Sequence, residues 1–101
     1  MDVSFIDSSG SKVRPALIIS GKRYNNSHPD VIICSITSNS SHDCFLEIGK
    51  MDLTLGSVCP GSGVRHDTIR RVAKTELIRR VAKVSREYGD GVVRGISSIL
   101  G

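Results

Sequence analysis

The stretch from Ile69 to Lys83 reads IRRVAKTELIRRVAK, one hexapeptide written twice at a spacing of nine residues. Nine is not the period of any solenoid repeat. By periodicity, Ile69, Val72, Ala73, Leu77, Val81 and Val84 make the apolar face of one amphipathic helix flanked by arginines. Alternatively, the two copies belong to separate elements and the repetition is coincidence. From Arg65 to Arg86 there are eight basic residues (65, 70, 71, 74, 79, 80, 83 and 86) against acidic residues 67 and 76, so most of the positive charge sits here. Such a run is either a solvated face or an anion-binding surface.

On the C-terminal side, Val92, Val93, Ile96, Ile99 and Leu100 recur at helical spacing, which predicts a helix from Asp90 to Leu100 with Asp90 as its N-cap. Gly91 and Gly95 weaken that helix. On the N-terminal side the pattern changes to short apolar runs separated by turn residues. An alternating segment, Val3 to Ile6, is followed by a Ser/Gly loop from Asp7 to Ser11 and a strand from Ala16 to Ser20. Turn chemistry from Gly21 to Asp30 leads to a strand at Val31 to Ile36. A polar loop, Thr37 to Asp43, leads to Cys44 to Ile48; Gly56 to Gly63 is a Gly/Pro-rich loop, and Val64 to Asp67 restarts regular structure. The first two thirds therefore read as mostly β.

Two of these runs deliver polar groups at one end. KVRPALIIS, Lys12 to Ser20, brings Arg14 and Pro15 before an apolar run, and VIICSITS, Val31 to Ser38, ends in Thr37 and Ser38. By local pattern alone these are a solvated arginine, a strand start and a turn.

Composition narrows the function. At 101 residues and 10.9 kDa the chain is expected to form a single domain, 1–101, with one core and no room for a large cleft. A net charge of +4 and a pI near 9.3 favour a polyanionic partner. Phe5, Tyr24, Phe45 and Tyr88 are the full aromatic complement, so bound nucleic acid would be held by charge and hydrogen bonds more than by stacking. Cys34, Cys44 and Cys59 are odd in number and widely spaced, and His28, His42 and His66 are scattered. Neither set has disulfide-framework or metal-ligand spacing, so no metal or other cofactor is expected. Cys34, inside an apolar run, is expected to pack in the core. MDVSFIDSSG resembles neither a signal peptide nor a membrane span, which points to the cytoplasm.

Taken in order, RPALIIS, VIICSITS, FLEIGK and SGVRHDTIRRVAKTEL followed by a short C-terminal helix resemble the MazF/PemK (Kid) toxin family of type II toxin-antitoxin systems, over nearly the whole chain. The specific parts are the RP before apolar residues, the I-T-S after a strand, and I-R-x-V-x-K-x-x-L at Ile69, Arg70, Val72, Lys74 and Leu77. The resemblance implies a mainly β fold with short helices: an SH3-like small β-barrel with a C-terminal helix, in which the first IRRVAK ends a strand and enters a short helical turn. It further implies a homodimer, a cognate antitoxin covering the RNA groove, and metal-independent, sequence-specific cleavage of single-stranded RNA.

Such cleavage uses the ribose 2'-OH as nucleophile, so the protein must take its proton, neutralise charge on the phosphorane and protonate the departing 5'-oxygen. By its match to the RP motif, Arg14 is the residue to stabilise phosphate charge, through two parallel guanidinium bonds. Thr37 matches the hydroxyl of I-T-S. Arg65 and Asp67 stand two apart, and on an extended segment their side chains share a face. They match the pair that the PemK/Kid branch uses, the aspartate as general base and the arginine as general acid or phosphorane stabiliser; otherwise they are a surface ion pair. His66 between them should point to the opposite face. Lys12, Ser38, His66, Arg70 and Arg71 are the expected RNA contacts.

The chain departs from the family in its short loop, Asp7 to Ser11, where the family has a longer one guarding the groove, and in starting close to the first strand. Two other functions compete: a non-catalytic barrel binding RNA or protein through its basic segment, as a decayed toxin would, and a CcdB-like gyrase poison. The gyrase contact depends on a Trp near the C-terminus, and this chain has no Trp.

Overall fold

The computed structural model describes residues 1–7 and 12–101. Seven strands form one antiparallel sheet: β1 (Asp2–Ile6), β2 (Arg14–Ile18), β3 (Asp30–Thr37), β4 (Phe45–Glu47), β5 (Leu53–Gly56), β6 (Gly63–Ala73) and β7 (Leu77–Val84), in the order β4-β6-β3-β2-β1-β7-β5. A short helix, α1 (Lys22–Ser27), joins β2 to β3, and a 15-residue helix, α2 (Arg86–Leu100), ends the chain. The loop expected at Asp7 to Ser11 lies, from residue 8 onward, outside the described residues.

Connectivity forces this sheet to curl. β4 and β5 occupy its two edges, yet Leu53 follows Glu47 by six residues. Six residues span at most about 21 Å when fully extended. Seven flat strands at about 4.8 Å spacing would separate the edges by about 29 Å. The sheet must therefore bend its edges toward each other, and the molecule measures 30 × 30 × 25 Å. The expected barrel is approached but not closed, because β4 pairs with β6 and β5 with β7, and no β4–β5 ladder forms among the described residues.

Strand alternation gives each face its own apolar cluster. On one face Val3, Leu17, Cys34, Ile36, Val64, Ala82 and Val84 pack with Tyr88 and Val92 of α2. On the other, Ile6, Ala16, Ile18, Val31, Ile33 and Val72 form a smaller cluster. The β1–β2 and β3–β6 registers set Val3 opposite Leu17 and Val31 opposite Val72, keeping each cluster on its own side. Cys34 is fully buried, as expected, and burial pushes its thiol pKa up to about 11.

The repeated hexapeptide splits. Its first copy ends β6, a 3-10 turn covers Lys74–Glu76, and the second copy lies in β7, so the single amphipathic helix is not formed. Three other expectations are corrected. The segment from Gly21 to Asp30 contains a helix where only turns were expected: Asn25 reaches back to Ser20 through Oδ1 and Nδ2, and Tyr24 stacks on His28 with ring centroids 3.8 Å apart. Asp90 does not cap the last helix. That helix starts one turn earlier, where the Ser85 hydroxyl accepts from the Tyr88 backbone N–H at 3.1 Å. β5 and the 3-10 turn at Lys50–Asp52 were not anticipated, although Leu53 and Leu55 alternate with Thr54; each element is only three or four residues long.

Gly95 is where α2 meets the sheet. A Cβ there would lie 2.7–2.8 Å from three atoms of the His66 ring, so only glycine lets helix and imidazole approach this closely.

Candidate active site

The smaller apolar face runs out at one end of its strands, and the positions that continue it are polar. On β2 the inward series Ile18, Ala16 continues to Arg14; on β3 the series Val31, Ile33 continues to Ser35 and Thr37. Ala16 pairs with Ser35, and Ser35 with Arg65 on β6, so one ladder rung crosses three strands and leaves Arg14 and Thr37 together at its open end. Arg14, Thr37, Ser38, His42, Cys59, Arg65, Thr68 and Arg70 line a cleft of about 440 Å³ there.

A bulge in β6 shapes the third wall. Ile33 pairs with Arg70 and Ser35 with Arg65, so Cys34 alone faces four residues, His66 to Ile69, and the strand must loop outward. Thr68 closes the gap. Its Oγ1 accepts from the Ser35 N–H at 2.9 Å and donates to the Arg65 carbonyl at 2.6 Å. The backbone carrying Arg65 is thereby tied to β3.

Arg65 and Asp67 form a two-point ion pair, Nε to Oδ1 at 3.1 Å and Nη2 to Oδ2 at 2.8 Å. These hydrogen bonds hold the Asp67 pKa below the ordinary carboxylate value, against an opposing effect of partial desolvation, and raise that of Arg65 above its ordinary value. The remaining Arg65 nitrogen, Nη1, points at His42 Nε2, 3.5 Å away. Thr37 Oγ1 accepts from the Asn39 N–H at 3.1 Å, leaving its own hydrogen to donate elsewhere. Arg14 is exposed and has no ion pair or side-chain hydrogen bond among the described residues.

Of the residues expected from sequence, Arg14, Thr37, Ser38, Arg65 and Arg70 share this cleft, with Asp67 fastened to Arg65. Three expected RNA contacts lie elsewhere. Lys12 is exposed outside the cleft lining. Arg71 points away and pairs with Asp30 at 3.3 Å. His66 turns to the opposite face as expected, its ring against Gly95 of α2 and its buried Nδ1 without a hydrogen-bond partner among the described residues. Thr68 and His42 were missed: Thr68 matters only because of the bulge, and His42 sits in a polar loop with no periodicity. No three His, Cys, Asp or Glu side chains cluster to hold a metal ion among the described residues, and no described helix is long and apolar enough to cross a membrane.

The fold is that of solved MazF toxins. The structure titled Mycobacterium tuberculosis toxin MazF-mt6 superposes with a TM-score of 0.79 at 16% identity, covering 97% of this chain and 94% of that one. A MazE-MazF structure from Deinococcus radiodurans gives 0.80 at 20% identity, covering 99% and 92%. An endoribonuclease from a mycobacterial species gives 0.81 at 20% identity, covering 99% and 88%. No curated protein sequence matches the chain. The match that decides its membership runs over residues 2–100: the chain belongs to the family of PemK-like, MazF-like toxins of type II toxin-antitoxin systems.

Proposed function

We propose that this toxin is a metal-independent, sequence-specific endoribonuclease of the cytoplasm. It cuts single-stranded mRNA by attack of the 2'-OH, leaving a 2',3'-cyclic phosphate and a 5'-OH. The observation that carries this reading is the convergence of Arg14, Thr37 and Arg65 on one cleft from three separate strands, with Asp67 paired to Arg65. Arg14, whose guanidinium has no ion pair among the described residues, suits a phosphate that arrives with the substrate. Thr37 has a hydroxyl hydrogen to give to the same phosphate. Ser38 and Arg70, on the same cleft, are further RNA contacts.

The ion pair explains how a carboxylate with a lowered pKa can act as a base. While Arg65 holds Asp67, the carboxylate accepts a proton poorly. A bound phosphate competes for the Arg65 donors, and as they turn to it the Asp67 pKa rises toward its ordinary range. Asp67 then takes the 2'-OH proton as O2' attacks phosphorus, Arg14 and Arg65 neutralise the phosphorane, and the bond to the 5'-oxygen breaks. DNA, lacking the 2'-OH, is not cut.

The working form is a homodimer, because a cleft of this size on one chain holds little more than a nucleotide or two. Its cognate antitoxin is a protein that covers the cleft, a reading supported by the structure titled as an endoribonuclease in complex with its cognate antitoxin from a mycobacterial species. The test is purified protein incubated in EDTA with single-stranded RNAs of varied sequence, followed by end-group analysis. Cyclic phosphate and 5'-OH ends are expected; intact RNA in every context refutes the proposal.

A further inference from the structure

Resting on that reading, the cleft leaves one step without a residue: protonation of the departing 5'-oxygen. Arg65 is badly placed for it. A guanidinium keeps its proton in proteins, and in the proposed mechanism its donors turn to the phosphorane. Hydroxyls such as Thr37 are weak acids, and a thiol such as Cys59 is a weak hydrogen-bond donor. His42 is the imidazole on this cleft, and its Nε2 is aimed inward at Arg65 Nη1, 3.5 Å away.

We infer that His42 is the general acid of the cleavage: its Nε2 protonates the 5'-oxygen while Asp67 takes the 2'-OH proton. In the free protein Nε2 lies against Arg65 Nη1, on the side of the guanidinium that Asp67 does not hold. RNA changes both sides of this contact. The phosphate draws Arg65 away, and its oxygens accept from the ring nitrogen that faced the guanidinium. Nε2–H is then left next to the reacting phosphate. As O2' bonds to phosphorus, the P–O5' electron pair leaves with the 5'-oxygen, which takes the Nε2 proton; solvent later reprotonates His42 and deprotonates Asp67. Besides Arg65 and its partner Asp67, the charged or titratable groups around this ring are Arg14 on β2, Arg70 on β6 and Cys59, which line the same cleft, and Asp43 and Cys44, which act on the charge of Arg65.

The experiment uses an RNA oligonucleotide that the wild-type protein cleaves and the same oligonucleotide with sulfur replacing the bridging 5'-oxygen at the scissile bond. A thiolate leaves without a proton, so it makes a general acid unnecessary. His42→Gln should slow the ordinary linkage by about 100-fold or more yet cut the sulfur linkage within about threefold of wild type. It should also lose the alkaline limb of the kcat/KM pH profile. Binding of a 2'-deoxy analogue, unchanged in the variant, checks that the loop remains folded. Equal slowing on both linkages, or an unchanged ordinary rate, overturns the assignment. If the wild-type protein cleaves neither linkage in any sequence, the endoribonuclease reading falls, and this inference with it.

Discussion

Replacing Gly95 by alanine tests whether α2 supports the cleft from behind. At an exposed helical position Gly→Ala stabilises by about 1 kcal/mol, through helix propensity and a less flexible unfolded chain. At Gly95 the new methyl would meet His66 Cδ2 at 2.7 Å and Cγ and Nε2 at 2.8 Å. Cγ is the root of the ring, so the imidazole cannot simply swing its tip aside. Its strand is held by the His66 N–H donating to the Cys44 carbonyl at 3.1 Å. Overpacking of this kind costs about 1–3 kcal/mol, leaving a net loss of about 0–2 kcal/mol. Gly91 on the same helix is the control, because a methyl there meets only the ends of Leu46 and Arg94, at 3.3 and 3.6 Å. Gly91→Ala should therefore gain up to about 1 kcal/mol. Thermal unfolding at one protein concentration should place Gly95→Ala below Gly91→Ala, by about 4–8 °C for each kcal/mol between them. Since His66 stands between Arg65 and Asp67, Gly95→Ala should also slow RNA cleavage, and Gly91→Ala should not. Equal melting temperatures would refute the close packing of helix on imidazole.

Thr68→Val keeps the shape of the side chain but deletes both bonds that bridge the bulge, leaving the Ser35 N–H unsatisfied; urea unfolding should show a loss of about 1–3 kcal/mol. Tyr88 donates to the Leu46 carbonyl at 2.5 Å, and its burial raises the phenol pKa above the ordinary 10.0. Its stabilising effect is thus complete below pH about 10 and is lost as pH rises from there toward the folded-state value. Tyr88→Phe should flatten that alkaline decline in a pH series of melting temperatures. Asp67→Asn should leave folding nearly unchanged while lowering RNA cleavage by about 10²–10⁴-fold, and Arg14→Lys, which cannot offer two parallel bonds, should lower cleavage more than it lowers binding of a 2'-deoxy oligonucleotide.

Much of this was legible in the residues because strand alternation is a short-range signal. Val3 to Ile6 and Val31 to Ile36 were readable from apolar spacing, as was the last helix from Val92, Val93, Ile96 and Ile99. The start of that helix was not, since Ser85 and Asp90 are both good caps and only the docking of Tyr88 on β4 chooses between them. The doubled hexapeptide misleads for a physical reason. Helical spacing arises there from a strand whose phase shifts at the bulge, followed by a sharp turn and a second strand. Arg14, Thr37, Arg65 and Asp67 could be named from motif resemblance, but bringing them together depends on register. Lys12 and Arg71 show the converse: charge in a basic segment carries no information about direction, and Arg71 spends its charge on Asp30.

β1 lies in the interior of the sheet between β2 and β7, and its second neighbour begins only at Leu77. A ribosome must deliver most of the chain before Val3 meets Ala82, and the loop closed by that contact makes it a late, slow step of folding. The cleft is subject to the same order, since Arg14 and Thr37 wait for a β6 that follows them by more than twenty residues. A nascent chain therefore carries no assembled cleft until β6 has followed β2 and β3 out of the ribosome.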